Sequence, residues 1–177
     1  MSRLFFITGM MRSGTAWASA LISLCPNAFC YHEGGAQLKN GLVEGLRSRP
    51  EKFAGDSSPG WREFTREVDA VEAPRVAIIR SFDEVMPAIR KAFHGMVPND
   101  WIHQDCERLN TWVSRHDPLV IPFRKLFTIS GARQVWDHVL PGEDFPRDKV
   151  ECLIRTRVEQ ILPEKRIMQE LSDRDMI

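Results

Sequence analysis

The sequence predicts an α/β fold in which a parallel sheet of about five strands is covered by helices on both faces, giving three layers. Three observations favour this fold. Short apolar runs alternate with amphipathic helical segments, the run before Arg80 is apolar on both faces, and two glycines join the first run to a helical pattern. The 177 residues fit one domain. We expect it to span 1–177, with 163–177 as a charged loose tail or docking helix.

The first half of the chain begins with an apolar strand over 5–8. Trp17, Leu21 and Leu24 then repeat at helical spacing, and Pro26 ends this first helix. Residues 28–31 predict a second strand, 37–46 a helix and 52–56 a third, weaker strand. Ser58 before Pro59 has the form of an N-cap followed by a first helical residue.

The second half begins with the clearest buried strand, over 74–79. Ser81 and Glu84 have the spacing of a capping box, which predicts that a helix starts there. Pro87 must lie within or just past the first turn of that helix, or kink it. The remaining predicted elements are a long amphipathic helix over 98–116, a strand over 119–123, and helices over 133–140 and 148–161.

Composition limits the possible partners and compartment. The 24 basic and 24 acidic residues cancel, so global charge gives no support for binding nucleic acid or an anionic membrane surface. The four cysteines lack C-x-x-C spacing, which indicates neither a zinc site nor a disulfide framework. No run approaches the ~18 apolar residues of a membrane span. We expect a globular protein of the reducing cytoplasm.

The segment between the first strand and the first helix has the spacing of a phosphate-binding loop. Gly9 and Gly14 enclose four residues and let successive N–H groups point inward beside a helix N-terminus. This is the spacing of the nucleotide-binding P-loop, G-x-x-x-x-G-K-[ST]. Thr15 stands at the lysine position, however, and Ala16 at the position of the magnesium-binding hydroxyl. A kinase or ATPase would lack its two main triphosphate ligands here.

The loop carries other polar groups instead, and these give it a family likeness. Its sequence over 12–17, Arg-Ser-Gly-Thr-Ala-Trp, resembles the 5′-phosphosulfate loop of the sulfotransferases, Lys/Arg-Ser-Gly-Thr-Thr-Trp. The resemblance implies a P-loop-like fold, a small bacterial- or phage-type member of the family, and 3′-phosphoadenosine 5′-phosphosulfate (PAPS) as co-substrate. It also implies that Ser13, Gly14, Thr15 and the Ala16 amide bind the 5′-phosphate, beside Trp17. The Arg12 guanidinium would bind there too and act catalytically, bridging the transferred group and the leaving phosphate and stabilising their charge. A simpler interpretation is that Gly14 only turns the chain and Trp17 only packs in the core.

Other chemistry-bearing residues follow the predicted strands. In open parallel sheets, ligands bind outside the carboxyl ends of the strands, so these residues should gather at one edge. Arg80 follows the fourth strand and matches the arginine that holds the 3′-phosphate in the sulfotransferases. The serine expected eight residues later is Ala88, so either Ser81 substitutes locally or the phosphate is held otherwise. Alternatively, Arg80 caps the sheet edge by a salt bridge and Ser81 caps a helix.

Transfer to a hydroxyl group requires a base, because a protonated hydroxyl is a poor nucleophile. Glu33 and His32 follow the second strand. The sulfotransferases use either a histidine or a glutamate, and we favour Glu33. The alternatives are that Glu33 caps a turn or pairs with an arginine, and that His32 has a hydrogen-bonded structural role. Asp56 and Ser57 follow the third strand and would face the acceptor, unless they serve only as turn residues.

The sequence therefore predicts a PAPS-dependent sulfotransferase that transfers a sulfuryl group by in-line displacement to a hydroxyl or amine of a small molecule or glycan. No metal is expected in this reaction. Two other interpretations stay open. One is a divergent P-loop nucleotide kinase that uses magnesium and ATP. The other is a non-catalytic nucleotide-binding module, which Ala16 and Ala88 favour because each replaces a hydroxyl that the family uses.

Overall fold

The computed structural model describes residues 1–33, 41–59 and 65–156. They form a sheet of five strands, all parallel, in the order β2-β3-β1-β4-β5. The strands are β1 (Arg3–Gly9), β2 (Ala28–Tyr31), β3 (Phe53–Ser57), β4 (Arg75–Ile79) and β5 (Leu119–Pro122). The predicted parallel α/β sheet is confirmed.

Helices cover both faces of this sheet. They are α1 (Thr15–Ile22), α2 (Leu42–Arg47), α3 (Thr65–Asp69), α4 (Phe82–Ala92), α5 (Asn99–His116), α6 (Phe123–Leu126), α7 (Ile129–Val139) and α8 (Arg147–Arg155). Phe5 and Ile7 of β1 pack with residues of α1, α7 and α8, whereas Leu4 and Phe6 pack with residues of α2, α3 and α5. Successive strand side chains point to opposite faces, so β1 supplies both cores. Within the described ranges, no helix has the length and apolarity needed to span a bilayer.

Strand β1 lies at the centre of the sheet, between β3 and β4. Ile7 is in register with Ser57 of β3 and with Val76 of β4. The chain after β1 crosses to one side for β2 and β3 and then to the other side for β4 and β5. A strand order that reverses in this way opens a crevice outside the carboxyl ends of the strands. The loop after β1 leads directly into it.

Helices α4 and α5 pack beside this carboxyl edge. Met10, the first residue after β1, is buried against Val85 and Ile89 of α4 and Ile102 of α5. The predicted start of α4 at Ser81 is confirmed, because the Ser81 side chain accepts a hydrogen bond from the Glu84 amide. Pro87 lies inside α4, in its second turn. The helix pair therefore borders the crevice.

Several boundaries differ from the sequence prediction. The helix predicted over 133–140 begins four residues earlier, at Ile129, and the first strand spans Arg3–Gly9 and not 5–8. Strand β5 ends at Pro122, one residue early, because proline has no N–H to continue the ladder and instead precedes the short α6. Pro59 lies in a bend, and the residues that would form the helix predicted after it lie outside the described ranges. The Ser58 amide donates to Ile7 O at 3.1 Å and extends the β3–β1 pairing. The predicted helix over 37–46 is found from Leu42. Residues 37–40, 157–161 and the tail 163–177 lie outside the described residues.

Candidate functional site

The loop between β1 and α1 contains two residues in the left-handed region of backbone space. Arg12 has φ +66° and Gly14 has φ +91°, and such left-handed residues curl successive N–H groups into a concave anion-binding surface. Both the amide and the hydroxyl of Ser13 donate to the carbonyl oxygen of Met10, the amide at 3.1 Å. The buried Ser13 side chain thus closes the loop on itself, and its backbone amide takes part in the same turn.

Glycine is required at position 9 by close packing. A Cβ atom there would lie 2.2 Å from the Ser13 Oγ atom and 2.8 Å from the carbonyl oxygen of Ile78. No real Cβ contact is that short, so only glycine lets the Ser13 hydroxyl fold back onto the end of β1. Gly9 therefore supports the loop through packing, since the positive φ angles occur at Arg12 and Gly14.

The N-terminus of α1 faces this loop without a side-chain cap. Its N-cap is Gly14, which offers no side chain, and its first turn contains no acidic residue. The first N–H groups of a helix have no partner within the helix, and the helix dipole adds positive charge there. The amides of Thr15, Ala16 and Trp17 belong to this first turn. The end of α1 is therefore suited to a phosphate or sulfate group.

Arg80 reaches the loop from the end of β4. Its Nη1 atom donates to the carbonyl oxygen of Arg12 at 2.6 Å, and its Cζ atom lies 4.2 Å from the centre of the Phe123 ring. The structure thus shows Arg80 bound to the loop and stacked on an aromatic ring. Its Nε atom is buried and has no hydrogen-bond partner in the part of the chain that the structure describes. Arg80 keeps donors that a ligand can use.

Burial changes the electrostatics of these two arginines. It lowers the pKa of both Arg12 and Arg80, because the charged guanidinium loses water. For Arg80, the carboxylate of Glu84 raises the pKa, while the charges of Arg12 and Arg124 lower it further. Arginine nevertheless stays protonated in proteins. The site therefore brings together positive charges that repel each other and are only partly hydrated, and an anion would relieve both costs.

Aromatic side chains support the other side of the loop. A Cβ atom added to Gly14 would lie 3.1 to 3.4 Å from Leu126, Phe123 and Phe127, so α6 and the residue after it pack directly on the loop. The Trp17 ring lies 5.1 Å from that of Phe127 in an edge-on arrangement and is only 4% exposed. Its Nε1 atom has no hydrogen-bond partner among the described residues. The structure shows Trp17 packed in the core beneath the loop, and contact with a ligand stays a prediction.

His32 is connected to the loop through β3. Its Nδ1 atom lies 2.8 Å from the carbonyl oxygen of Ser57, and the Ser57 hydroxyl donates to the carbonyl oxygen of Thr15 at 2.7 Å. A carbonyl oxygen only accepts, so Nδ1 carries the hydrogen and Nε2 of the neutral ring is free of one. The Nε2 atom lies 3.9 Å from Oε1 of Glu33, whose side chain is 64% exposed. His32 is thus the more rigidly held of the two base candidates.

The two residues predicted to face the acceptor point to opposite faces of the sheet. Ser57 points toward α1, where its hydroxyl is bound to the loop. Asp56 is the preceding residue, so its side chain lies on the other face, and it is fully buried in register with Phe6 and Tyr31. Both residues therefore cannot face one acceptor. Ser57 holds the loop against β3.

Ser81 caps α4, as one of the two sequence interpretations has it. Its hydroxyl accepts from the Glu84 amide at 3.3 Å and lies 3.2 Å from the Glu84 carboxylate. Sequence reasoning missed the partner of that carboxylate, Arg124, whose Nη2 atom lies 2.5 Å from Oε1 of Glu84. Arg124 follows the end of β5 by two residues. The rule that selects Arg80, a cation just past a strand's carboxyl end, would have selected it too.

These contacts join most of the predicted site at one edge of the sheet. The loop touches Arg80 directly, and it touches His32 through Ser57. Glu33 extends from His32 toward solvent. No family model, curated protein or solved structure matches the chain.

Proposed function

We propose that the protein is a sulfotransferase that moves a sulfuryl group from PAPS to a hydroxyl or amine acceptor. The observation that carries this proposal is the loop after β1. There, the uncapped end of α1 follows a loop with left-handed residues at Arg12 and Gly14, and the Arg80 guanidinium donates to the Arg12 carbonyl at 2.6 Å. Amide donors combined with planar guanidinium groups are suited to an anion that presents several oxygens.

We favour a phosphosulfate ligand over a triphosphate because the loop lacks the lysine and the hydroxyl of the nucleotide kinases and contains an arginine. Thr15 and Ala16 replace the lysine and the hydroxyl that a nucleotide kinase uses for the terminal phosphates and magnesium. Arg12 supplies a permanent positive charge with a fork of donors. It would stabilise the charge that builds up on the leaving phosphate without giving up a proton.

The proton of the acceptor requires a base, and the geometry favours His32 over Glu33. The Ser57 carbonyl holds Nδ1–H, which leaves Nε2 to accept the proton. As the acceptor oxygen or nitrogen bonds to sulfur, the bond from sulfur to the 5′-phosphate oxygen breaks and adenosine 3′,5′-bisphosphate leaves. The imidazolium that results would face the Glu33 carboxylate, 3.9 Å from Nε2. In this proposal Glu33 stabilises the protonated ring, and His32 takes the proton.

The test is transfer of radiolabelled sulfate from PAPS to a panel of hydroxyl and amine acceptors. His32→Asn keeps an N–H donor for the Ser57 carbonyl but has no atom equivalent to Nε2. We expect this variant to lose ~100-fold or more of kcat and to bind adenosine 3′,5′-bisphosphate nearly as well as the wild type. Glu33→Gln should lose about tenfold. A His32→Asn enzyme with wild-type turnover would remove His32 from the mechanism.

A second candidate function is a non-catalytic nucleotide-binding module. The observation that favours it is the exposure of Glu33, the base preferred from the sequence, whose side chain is 64% exposed and has no fixed position over the loop in the contacts described. Such a module would bind adenosine 3′,5′-bisphosphate and transfer sulfate to none of the acceptors. The same assay therefore separates the two functions.

A further inference from the structure

An ion pair joins α4 and α6 beside the loop. The Nη2 atom of Arg124 lies 2.5 Å from Oε1 of Glu84, and the other carboxylate oxygen lies 3.2 Å from the Ser81 hydroxyl. The Arg124 side chain is 84% exposed and that of Glu84 is 33% exposed. Within the described ranges, the Glu84 carboxylate is the one acidic group paired with Arg124, whose side chain is otherwise open to solvent.

The residue before Arg124 places this ion pair next to the anion site. The Phe123 ring stacks on the Arg80 guanidinium at 4.2 Å, and the same ring lies against Gly14 of the loop. Arg124 is close enough to influence Arg80, whose pKa responds to the charges of both Glu84 and Arg124. Arg80 and Arg124 therefore belong to one electrostatic cluster with Arg12.

This cluster has an excess of positive charge. Two of its guanidinium groups, on Arg80 and Arg124, are close to the carboxylate of Glu84, which gives two positive charges minus one, or +1, for these three side chains. The Glu84 carboxylate contacts Arg124, and it therefore covers part of the surface through which an anion could reach this guanidinium.

We propose that Arg124 is a third anion-binding residue, and that Glu84 holds it until a ligand with a second anionic group displaces the carboxylate. The site would therefore select ligands that carry a second phosphate or sulfate group in addition to the one bound by the loop. Naming adenosine 3′,5′-bisphosphate as such a ligand rests on the proposed function. The exchange itself needs only two anionic groups.

The energetics favour this exchange. Exposed ion pairs contribute little to stability, because water solvates both partners well. A phosphate carries about −1.5 to −2 charges near neutral pH and three acceptor oxygens, whereas Glu84 carries one negative charge. The ligand group is thus the better partner for Arg124, and releasing Glu84 into water costs little.

The test compares calorimetric titrations with adenosine 3′,5′-bisphosphate and adenosine 5′-monophosphate, which differ only in the second phosphate. Arg124→Ala should weaken bisphosphate binding about tenfold and leave monophosphate binding within about twofold. Glu84→Gln keeps a group that caps α4 but removes the competing charge, so bisphosphate should bind about threefold tighter. The double variant should gain less from Glu84→Gln than the wild type does, because without Arg124 the Glu84 carboxylate acts on Arg80 alone.

The control is Glu51→Gln, which removes the carboxylate of another surface ion pair, Arg49–Glu51 at 2.7 Å, just before β3 at the opposite edge of the sheet. It should leave both affinities unchanged. Equal losses for the two nucleotides in Arg124→Ala, or no loss for either, would overturn the proposal. If the wild type binds neither nucleotide, the titrations are repeated with inorganic pyrophosphate. Weaker pyrophosphate binding by Arg124→Ala than by the wild type supports the proposal, and equal binding overturns it. Nucleotide binding that follows the prediction without any sulfate transfer would refute the proposed enzyme and leave this inference standing.

Discussion

At the scale of single residues, Arg12 combines a charge with an unfavourable backbone conformation. Its φ angle of +66° is one that side chains with a Cβ atom adopt at a cost of ~1 kcal/mol. Glycine would fit there more easily. Strain of this kind persists where the surrounding structure imposes it, and it clusters at functional sites. The proposed function explains why a guanidinium is found at this position.

This explanation predicts that substitutions of Arg12 weaken ligand binding, whereas their effect on thermal stability depends on the residue introduced. Arg12→Gly should unfold at the same or a higher temperature than the wild type, because the left-handed conformation costs glycine nothing. Arg12→Ala keeps the conformational cost. Both variants should bind adenosine 3′,5′-bisphosphate at least about tenfold more weakly. Thermal unfolding and calorimetric titration measure the two effects, with Arg3→Ala at the exposed start of β1 as the control. Undiminished binding by Arg12→Gly would show that Arg12 does not hold the ligand.

At this scale, the sequence predicts the location of the cationic side chains of the site better than the hydrogen-bond partners of its hydroxyl groups. Arg80 is found because it follows a buried strand, and the structure places it on the loop. The hydroxyls of Ser57 and Ser81 are engaged by the Thr15 carbonyl and by Glu84. Which acceptor lies within reach of a short side chain depends on register between distant elements. Sequence spacing does not contain that information.

At the scale of elements, Glu143 links the connection between α7 and α8 to the residues that precede β2 and β3. The carboxylate of Glu143 accepts hydrogen bonds from Lys52 at 2.6 Å and Asn27 at 2.8 Å, and its backbone carbonyl accepts from Trp136 Nε1 at 3.1 Å. The Lys52 contact, followed by that of Asn27, lowers the pKa of Glu143. Glu143 thus joins elements that are far apart in sequence.

Because the pKa of Glu143 is lowered in the folded protein, its contribution to the free energy of unfolding depends on pH in a known direction. A carboxylate whose pKa is lower in the folded state stabilises the protein above its unfolded pKa of about 4.3, and this contribution is lost as the pH falls through the folded value. We expect Glu143→Gln to lower the free energy of unfolding by about 1 to 2 kcal/mol at pH 7. The difference from the wild type should shrink below about pH 4. Urea unfolding at several pH values measures it.

Glu151 provides the matched control for this prediction. It pairs with Arg147 at 2.9 Å one turn earlier on α8, and both side chains are more exposed than that of Glu143. Glu151→Gln should change stability by less than about 0.5 kcal/mol. An equal effect of the two substitutions, or a Glu143 effect that grows in acid, would contradict the role given to Glu143.

The elements themselves are predictable where a periodic pattern is long. The five strands and the helices α4, α5 and α7 follow from apolar runs, helical spacing and the capping box. The short helices α3 and α6 contain five and four residues, too few to show a helical period. Tertiary packing forms them: α6 begins at Phe123, where Pro122 ends β5 and the ring packs on the loop.

At the scale of the whole molecule, the strand order gives the loop its central place. The order β2-β3-β1-β4-β5 puts β1 in the middle, so residues from β2, β3, β4 and β5 all reach the loop region from the two sides. Alternation of strands and helices predicts a parallel sheet, but several strand orders satisfy it. Convergence of Arg80 and His32 on the loop was predictable from the rule on strand ends. The contribution of Arg124 depends on which strand lies beside β4.

The central claim is that this loop binds the end of a phosphosulfate nucleotide rather than a magnesium–triphosphate. A calorimetric titration that compares adenosine 3′,5′-bisphosphate with ADP plus magnesium tests it most directly, because the sulfotransferase and kinase interpretations predict opposite preferences. We predict that the bisphosphate binds at least about tenfold more tightly than ADP with magnesium. Tighter binding of ADP with magnesium, or no binding of the bisphosphate, would contradict the claim.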